Sequence, residues 1–204
     1  DTDDYNMKRK PVAPAPKHQV EFKRLGENLL TIEYDGGKRG WIEMFSTLPV
    51  ETLLCRRADY ICKCQCLEPE KWYDGLFRER NTKSGVMLDP DHYDEIEGWR
   101  RYEVTCDDPG LSKPAFLASK NAELPNEEEI KALDYYIEHF VWGGLQRTDA
   151  EEYPYGIYGI PDWNELRNRK NYNANELLHI WRLYDYPHII LLYYKMYEIA
   201  RNHP

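Results

Sequence analysis

Carboxylates recur beside aromatic side chains in three separated stretches of this sequence. The first is Cys106-Asp107-Asp108-Pro109-Gly110, where two adjacent carboxylates precede a Pro-Gly turn. A carboxylate held on a rigid turn suits acid–base work. The alternative is that one Asp caps turn amides while the other is solvated. The second is Tyr153-Pro154-Tyr155-Gly156-Ile157-Tyr158-Gly159-Ile160-Pro161-Asp162-Trp163, the most specific local signal in the chain. Its glycines and prolines exclude a regular helix and restrict a strand. Flat Tyr and Trp faces suit stacking against pyranose C–H surfaces, and carboxylates suit sugar hydroxyls. Alternatively, Asp162 caps a helix with Glu165 as its capping-box partner, and both readings can hold together. The third is Arg182-Leu183-Tyr184-Asp185-Tyr186-Pro187-His188, where Pro187 separates two helices. Asp185, Tyr186 and His188 then cluster at a helix N-terminus, which carries partial positive charge and free amides. There the alternative is an Asp185 cap with His188 a first-turn surface residue.

Two carboxylates flanking one bond are what glycoside hydrolysis requires, one as acid and one as base or nucleophile. Asp107 or Asp108 for one role and Asp162 or Asp185 for the other is the natural assignment. Tyr155, Tyr158 and Trp163 then form the sugar platform. Arg182 and His188 bind hydroxyls or an acidic group, beside Tyr186. The same Tyr186, His188 and Arg182 would serve an eliminative polysaccharide lyase. A non-catalytic glycan- or protein-binding module is the third reading.

Composition agrees with an aromatic cleft without demanding one. Six Trp and 17 Tyr far outnumber five Phe, and such rings have one apolar and one wet end. A net charge of −9 argues against a generic nucleic-acid binder. No apolar run approaches the roughly 18–20 residues of a membrane helix, and no signal peptide is visible. The hydrophobic fraction of 42% excludes a disordered chain. There is no phosphate-cradling Gly motif, nucleophile elbow or H-E-x-x-H, so no cofactor is implied.

Cys62, Cys64 and Cys66 sit two apart in what reads as a helix, where roughly 100° per residue puts Cys62 and Cys66 on one face and points Cys64 elsewhere. No Cys or His follows at zinc spacing, so reduced thiols are expected and no metal. Reduced thiols lean towards the cytoplasm. The acidic run Asp89, Asp91, Asp94, Glu95, Glu97 lacks the order of a calcium loop and reads as a solvated surface. Trp72-Tyr73-Asp74-Gly75-Leu76-Phe77 reads as a turn carrying exposed aromatics.

These stretches need elements to position them. Residues 1–17 are polar and then proline-rich, hence a linker. Three strand-like runs follow, His18–Lys23, Leu29–Tyr34 and Gly40–Phe45, with Asp35-Gly36-Gly37 as a hairpin turn. Residues 18–46 thus read as a β-meander. Helices come next. Thr47-Leu48-Pro49 opens the first, Pro114–Lys120 is a short one, and Asn126 with Glu129 caps a clearer one that ends at Gly143-Gly144. Asn175–Tyr184 and Pro187–Arg201 complete the set. Long loops over 67–105 and 145–171 separate them, rich in Trp, Tyr, Asp and Gly, as functional loops are.

Asp107-Asp108-Pro109-Gly110-Leu111-Ser112-Lys113-Pro114, the Gln146–Trp163 stretch and Tyr184-Asp185-Tyr186-Pro187-His188 together resemble a bacterial family within the six-hairpin glycosidase superfamily. The resemblance implies a mainly α fold with a small β part, the end of a β-sandwich followed by part of an (α/α)6 barrel over residues 47–204. It implies an active site in the barrel mouth, on loops joining helices, acting on an oligo- or polysaccharide. A full barrel needs six hairpins and this chain offers four or five helices. It therefore reads as a segment of a longer enzyme, or one half of a cut one, with the missing helices supplied by the same or another chain.

Overall fold

The computed structural model describes residues 17–92, 108–168, Ile180 and 186–203. For Asp108 and Tyr186 it describes the backbone. The chain divides into two units at Val50.

The first unit is a β-hairpin. Strands β1 (Gly26–Tyr34) and β2 (Lys38–Ser46) pair antiparallel, with Leu30 opposite Ile42 and Tyr34 opposite Lys38. Gly36 and Gly37 take φ of +79° and +74° at the turn, a conformation open to glycine. His18–Lys23 forms no strand, so the expected three-stranded meander is a two-stranded hairpin. That segment offers two apolar positions, Val20 and Phe22, too few to hold an edge strand.

The second unit is helical with short extended pieces: α1 (Val50–Lys63), β3 (Glu79–Arg80), β4 (Met87–Leu88), α2 (Asp108–Glu123), α3 (Glu127–Tyr136), α4 (Trp163–Asn168) and α5 (Tyr186–Asn202). The fold is thus mainly α with a small antiparallel β part, as the sequence indicates. In α1, Ala58 and Ile61 are buried one turn apart. The helix stops at Lys63, so Cys64 and Cys66 leave it. Cys66 exchanges backbone hydrogen bonds with Gly75 and Leu76. All four cysteines of the described residues, Cys55, Cys62, Cys64 and Cys66, are free thiols. Burial pushes Cys62 and Cys66 up to about 11.

Helix α2 is longer than expected. Pro109 sits in its first turn, where a missing N–H costs nothing, and Pro114 lies inside it. Asn126 caps α3 as the sequence indicates, accepting from the N–H groups of Glu128 and Glu129 at 3.1 and 3.2 Å. Such a cap contributes about 1 kcal/mol. Glu129 does not close the expected box. Its carboxylate accepts from Lys120 Nζ at 2.8 Å and Asn121 Nδ2 at 2.9 Å, while Asn121 Oδ1 takes the Asn126 N–H. A π-helical turn, Ile137–Val141, finishes α3. Gly144 follows because a Cβ there would lie 2.2 Å from the Phe140 carbonyl oxygen.

The core gathers Ile61, Tyr73, Phe77, Leu117, Leu133, Tyr136, Phe140, Trp163 and Leu192. Burying one such large side chain contributes roughly 1.5–3 kcal/mol. Tyr73, Leu76 and Phe77 belong to this core. The Trp72–Phe77 segment is therefore not a turn of exposed aromatics, and only Trp72 keeps an open face. Gly75, at φ +87°, lets this loop press on the Tyr135 carbonyl.

Candidate functional site

Side-chain contacts show which helix ends share one end of the helical unit. Gln65, two residues after α1, donates to the Ala132 carbonyl oxygen in α3 at 2.8 Å. Lys113, early in α2, bonds Glu79 of β3 at 2.7 Å. Tyr193, in the second turn of α5, donates to Gln146 just past α3 at 2.7 Å. At the opposite end, Glu127 and Ile130 at the start of α3 enclose a hollow with Ile199 and His203 at the end of α5. The segments that follow α1 and α3 and the starts of α2 and α5 therefore form one rim, whereas Asp59 and Cys62 of α1 itself face the end of α2 and the start of α3. The loops that carry most of the chemistry-bearing residues meet there.

One groove on this rim, of about 480 Å³, is lined by Gln146, Pro154, Tyr155, Gly156, Ile157, Ile189, Ile190 and Tyr193. It joins the Tyr/Gly/Pro loop to the start of α5. Tyr155 stands 57% exposed and meets Trp142 with ring centroids 6.1 Å apart. The two rings form a shelf beside the groove. Tyr153 and Tyr155 hold φ of +54° and +65°, strain that non-glycine residues rarely carry and that clusters at functional sites. The loop is pinned beneath: the Arg147 N–H donates to the Gly156 carbonyl oxygen, and the Tyr155 N–H to that of Arg147. Burial pushes the Tyr193 hydroxyl up to about 12, so it remains a proton donor at neutral pH.

A second part of the rim surrounds Trp72. Asp89, 2% exposed, accepts from Arg78 Nη1 at 3.2 Å, from the Asp91 N–H at 3.1 Å and from His92 Nδ1 at 2.7 Å. The expected solvated character thus fails for Asp89, because Arg78 compensates its charge in the interior. Asp91 accepts from Lys71 and Tyr73, which hold its carboxyl below the usual carboxylate range. The same Tyr73 hydroxyl is pushed well above its ordinary value, by burial and by that bond. Asp74 accepts from the Glu68 N–H at 2.8 Å and the Tyr135 hydroxyl at 2.7 Å, with His139 Nδ1 3.4 Å away. The bond to Asp74 raises Tyr135 to about 12. Farther round, burial pushes Glu151 up, but the Thr148 N–H and Arg167 outweigh it and hold its carboxyl low. Among the described residues no cluster of three metal-ligating side chains occurs.

A family model described as a family of unknown function, DUF5695, matches residues 4–204. The chain belongs to DUF5695. No curated protein matches it. A solved structure of a polysaccharide lyase shares its fold, with a TM-score of 0.63 over 89% of this chain at 20% identity. The DUF5695 chain spans 24% of that structure's length.

The residues singled out from the sequence separate into groups on the DUF5695 fold. Tyr155 lines the groove. His188 is half-buried in the first turn of α5, next to the groove residues Ile189 and Ile190. Asp108 opens α2 and Tyr186 opens α5, both at the rim. Tyr158 and Trp163 do not form an open shelf. They are 3% and 2% exposed and stack in the core with centroids 6.0 Å apart, and Tyr158 accepts from Arg147 at 2.8 Å. Asp162 is exposed, and its carbonyl oxygen accepts the Glu165 N–H at the start of α4. Asp107, Arg182 and Asp185 lie outside the described residues. Sequence reasoning missed Trp142, Gln146, Tyr193 and the Asp89–His92 pair. The spacing Asp89-x-x-His92 was a signal for the last, hidden inside an acidic run.

Proposed function

We propose that this chain is part of a carbohydrate-active enzyme whose saccharide lies along the rim, with its sugar rings on the Tyr155–Trp142 shelf. Its helices belong to a larger barrel of helical hairpins, completed by further helices of the same or another chain. The β-hairpin belongs to the end of a β-sandwich. An oligo- or polysaccharide is the substrate.

Elimination is the chemistry the rim supports best. The observation that carries this is how Asp74, Asp89, Asp91 and Glu151 are held. Hydrolysis needs one carboxyl held protonated as the acid. Asp91 and Glu151 are instead held low, and Asp74 and Asp89 act as multiple acceptors. Elimination from a uronate needs a base, a proton donor and a cation to quiet the substrate carboxylate. The rim supplies imidazoles, phenols held protonated, and Lys71. The sequence also offers Tyr186, His188 and Arg182 for these roles. The likeness in fold to a polysaccharide lyase supports the same reading.

Hydrolysis by Asp107 or Asp108 with Asp162 or Asp185 is the second reading, favoured by the placement of Asp108 at the rim. Incubating the full-length protein with uronate-containing and neutral polysaccharides separates the two. Elimination yields an unsaturated uronide that absorbs in the ultraviolet. New reducing ends without that absorbance support hydrolysis. Binding without either product supports a non-catalytic module.

A further inference from the structure

We propose that His92 is the proton-abstracting residue of this rim, held in position by the buried carboxylate of Asp89. The inference rests on the saccharide reading above and names a residue that the three sequence stretches did not contain.

The argument begins with the tautomer. Asp89 accepts from the Arg78 guanidinium and from the Asp91 N–H. A carboxylate so placed is an acceptor. The 2.7 Å contact with His92 Nδ1 therefore has the imidazole donating. With Nδ1 as donor, the lone pair of the neutral ring sits on Nε2. His92 is 47% exposed while Asp89 is 2% exposed. A buried carboxylate thus orients a solvent-facing imidazole, the arrangement used to hold a general base in one tautomer and rotamer.

Of His92 and His139, His92 is the better-oriented imidazole. His139 sits 3.4 Å from Asp74, too long for a strong orienting bond, and stacks on Tyr135 at 3.8 Å. The phenols Tyr73 and Tyr135 are occupied as donors to Asp91 and Asp74. Lys71, paired with Asp91 beside His92, is one-third exposed and can meet a substrate carboxylate.

The substrate class follows from the chemistry. Nε2 takes the C5 proton of a uronate residue, acidified by its own carboxyl group. The C5–H electron pair becomes the C4–C5 double bond, and the C4–O bond to the leaving sugar breaks. The leaving oxygen collects a proton from water, and His92 later returns its proton to solvent. No oxidant or cofactor enters the balance.

The experiment uses the full-length protein and a uronate polysaccharide that the wild type cleaves with ultraviolet absorbance. His92→Ala is expected to lower kcat by at least a hundredfold, the range of general base catalysis, with KM changed less than threefold. Added imidazole is expected to restore part of kcat. His92→Gln, of similar size, is expected to lose kcat equally, and circular dichroism of both variants should match the wild type. Activity within threefold of wild type in either variant overturns the proposal. So does a loss of kcat in His139→Ala that exceeds that in His92→Ala. Absence of ultraviolet-absorbing product from the wild type on every uronate polymer instead overturns the elimination reading on which it rests.

Discussion

Tyr193 in α5 donates its hydroxyl hydrogen to Oε1 of Gln146 across 2.7 Å, joining two stretches 47 residues apart. This contact closes the back of the groove and fixes the start of α5 against the Tyr/Gly/Pro loop. Replacing Tyr193 by Phe removes the bond and keeps the ring. Urea unfolding should show a loss of about 1 kcal/mol, the net worth of one such bond. Saccharide affinity should fall as well, because the loop loses its anchor. No change in either quantity would deny Tyr193 this role.

Tyr155 couples strain to function. At φ +65° it carries a conformation that suits glycine. Tyr155→Gly should therefore leave urea stability unchanged or improve it by about 1 kcal/mol. The same change removes the exposed ring. Affinity for a uronate oligosaccharide, read by calorimetry, should drop roughly tenfold, equivalent to about 1.4 kcal/mol. Stability and binding moving together would mean the ring is structural.

The Lys120–Glu129 pair lies away from the groove and tests the fold alone. Both side chains are nearly buried, at 3% and 8% exposure. Glu129→Ala strands a cation in the interior and should cost about 3–5 kcal/mol in urea unfolding. Replacing both by Met and Leu should cost far less, because no unpaired charge remains. Equal losses would contradict this account of the pair.

Alkaline pH gives a further check. Tyr193 is raised from about 10 to about 12, and Cys62 and Cys66 from about 9 to about 11. The native state holds these protons more tightly than the unfolded chain. Their contribution is fully present below pH about 9 and is lost as pH rises through 11 to 12. The urea midpoint should fall across that window, and less steeply in Tyr193→Phe. A flat midpoint to pH 11 would contradict these burials.

Legibility in the sequence followed how local the deciding physics was. Asn126 announced its helix because a cap acts on amides two and three residues away. Its partner Glu129 was misread because Lys120 and Asn121, from the preceding helix, offer it a buried site. The Tyr/Gly/Pro loop was recognisable as a special backbone, and Tyr153 and Tyr155 do carry positive φ. Which of its aromatics faces outward was not legible. Tyr158 and Trp163 turn inward because Phe140, Arg147 and Trp72 wait beneath the loop, a tertiary fact. Asp89 was hidden for the same reason. Its burial depends on Arg78, which composition cannot pair with it.

The most direct measurement is a crystal structure of the full-length protein with a uronate oligosaccharide bound to the inactive His92→Ala variant. The sugar is expected on the rim, with one ring over the Tyr155–Trp142 shelf and a uronate carboxyl near Lys71. Sugar bound instead in the hollow between the start of α3 and the end of α5, with the rim empty, would contradict the account.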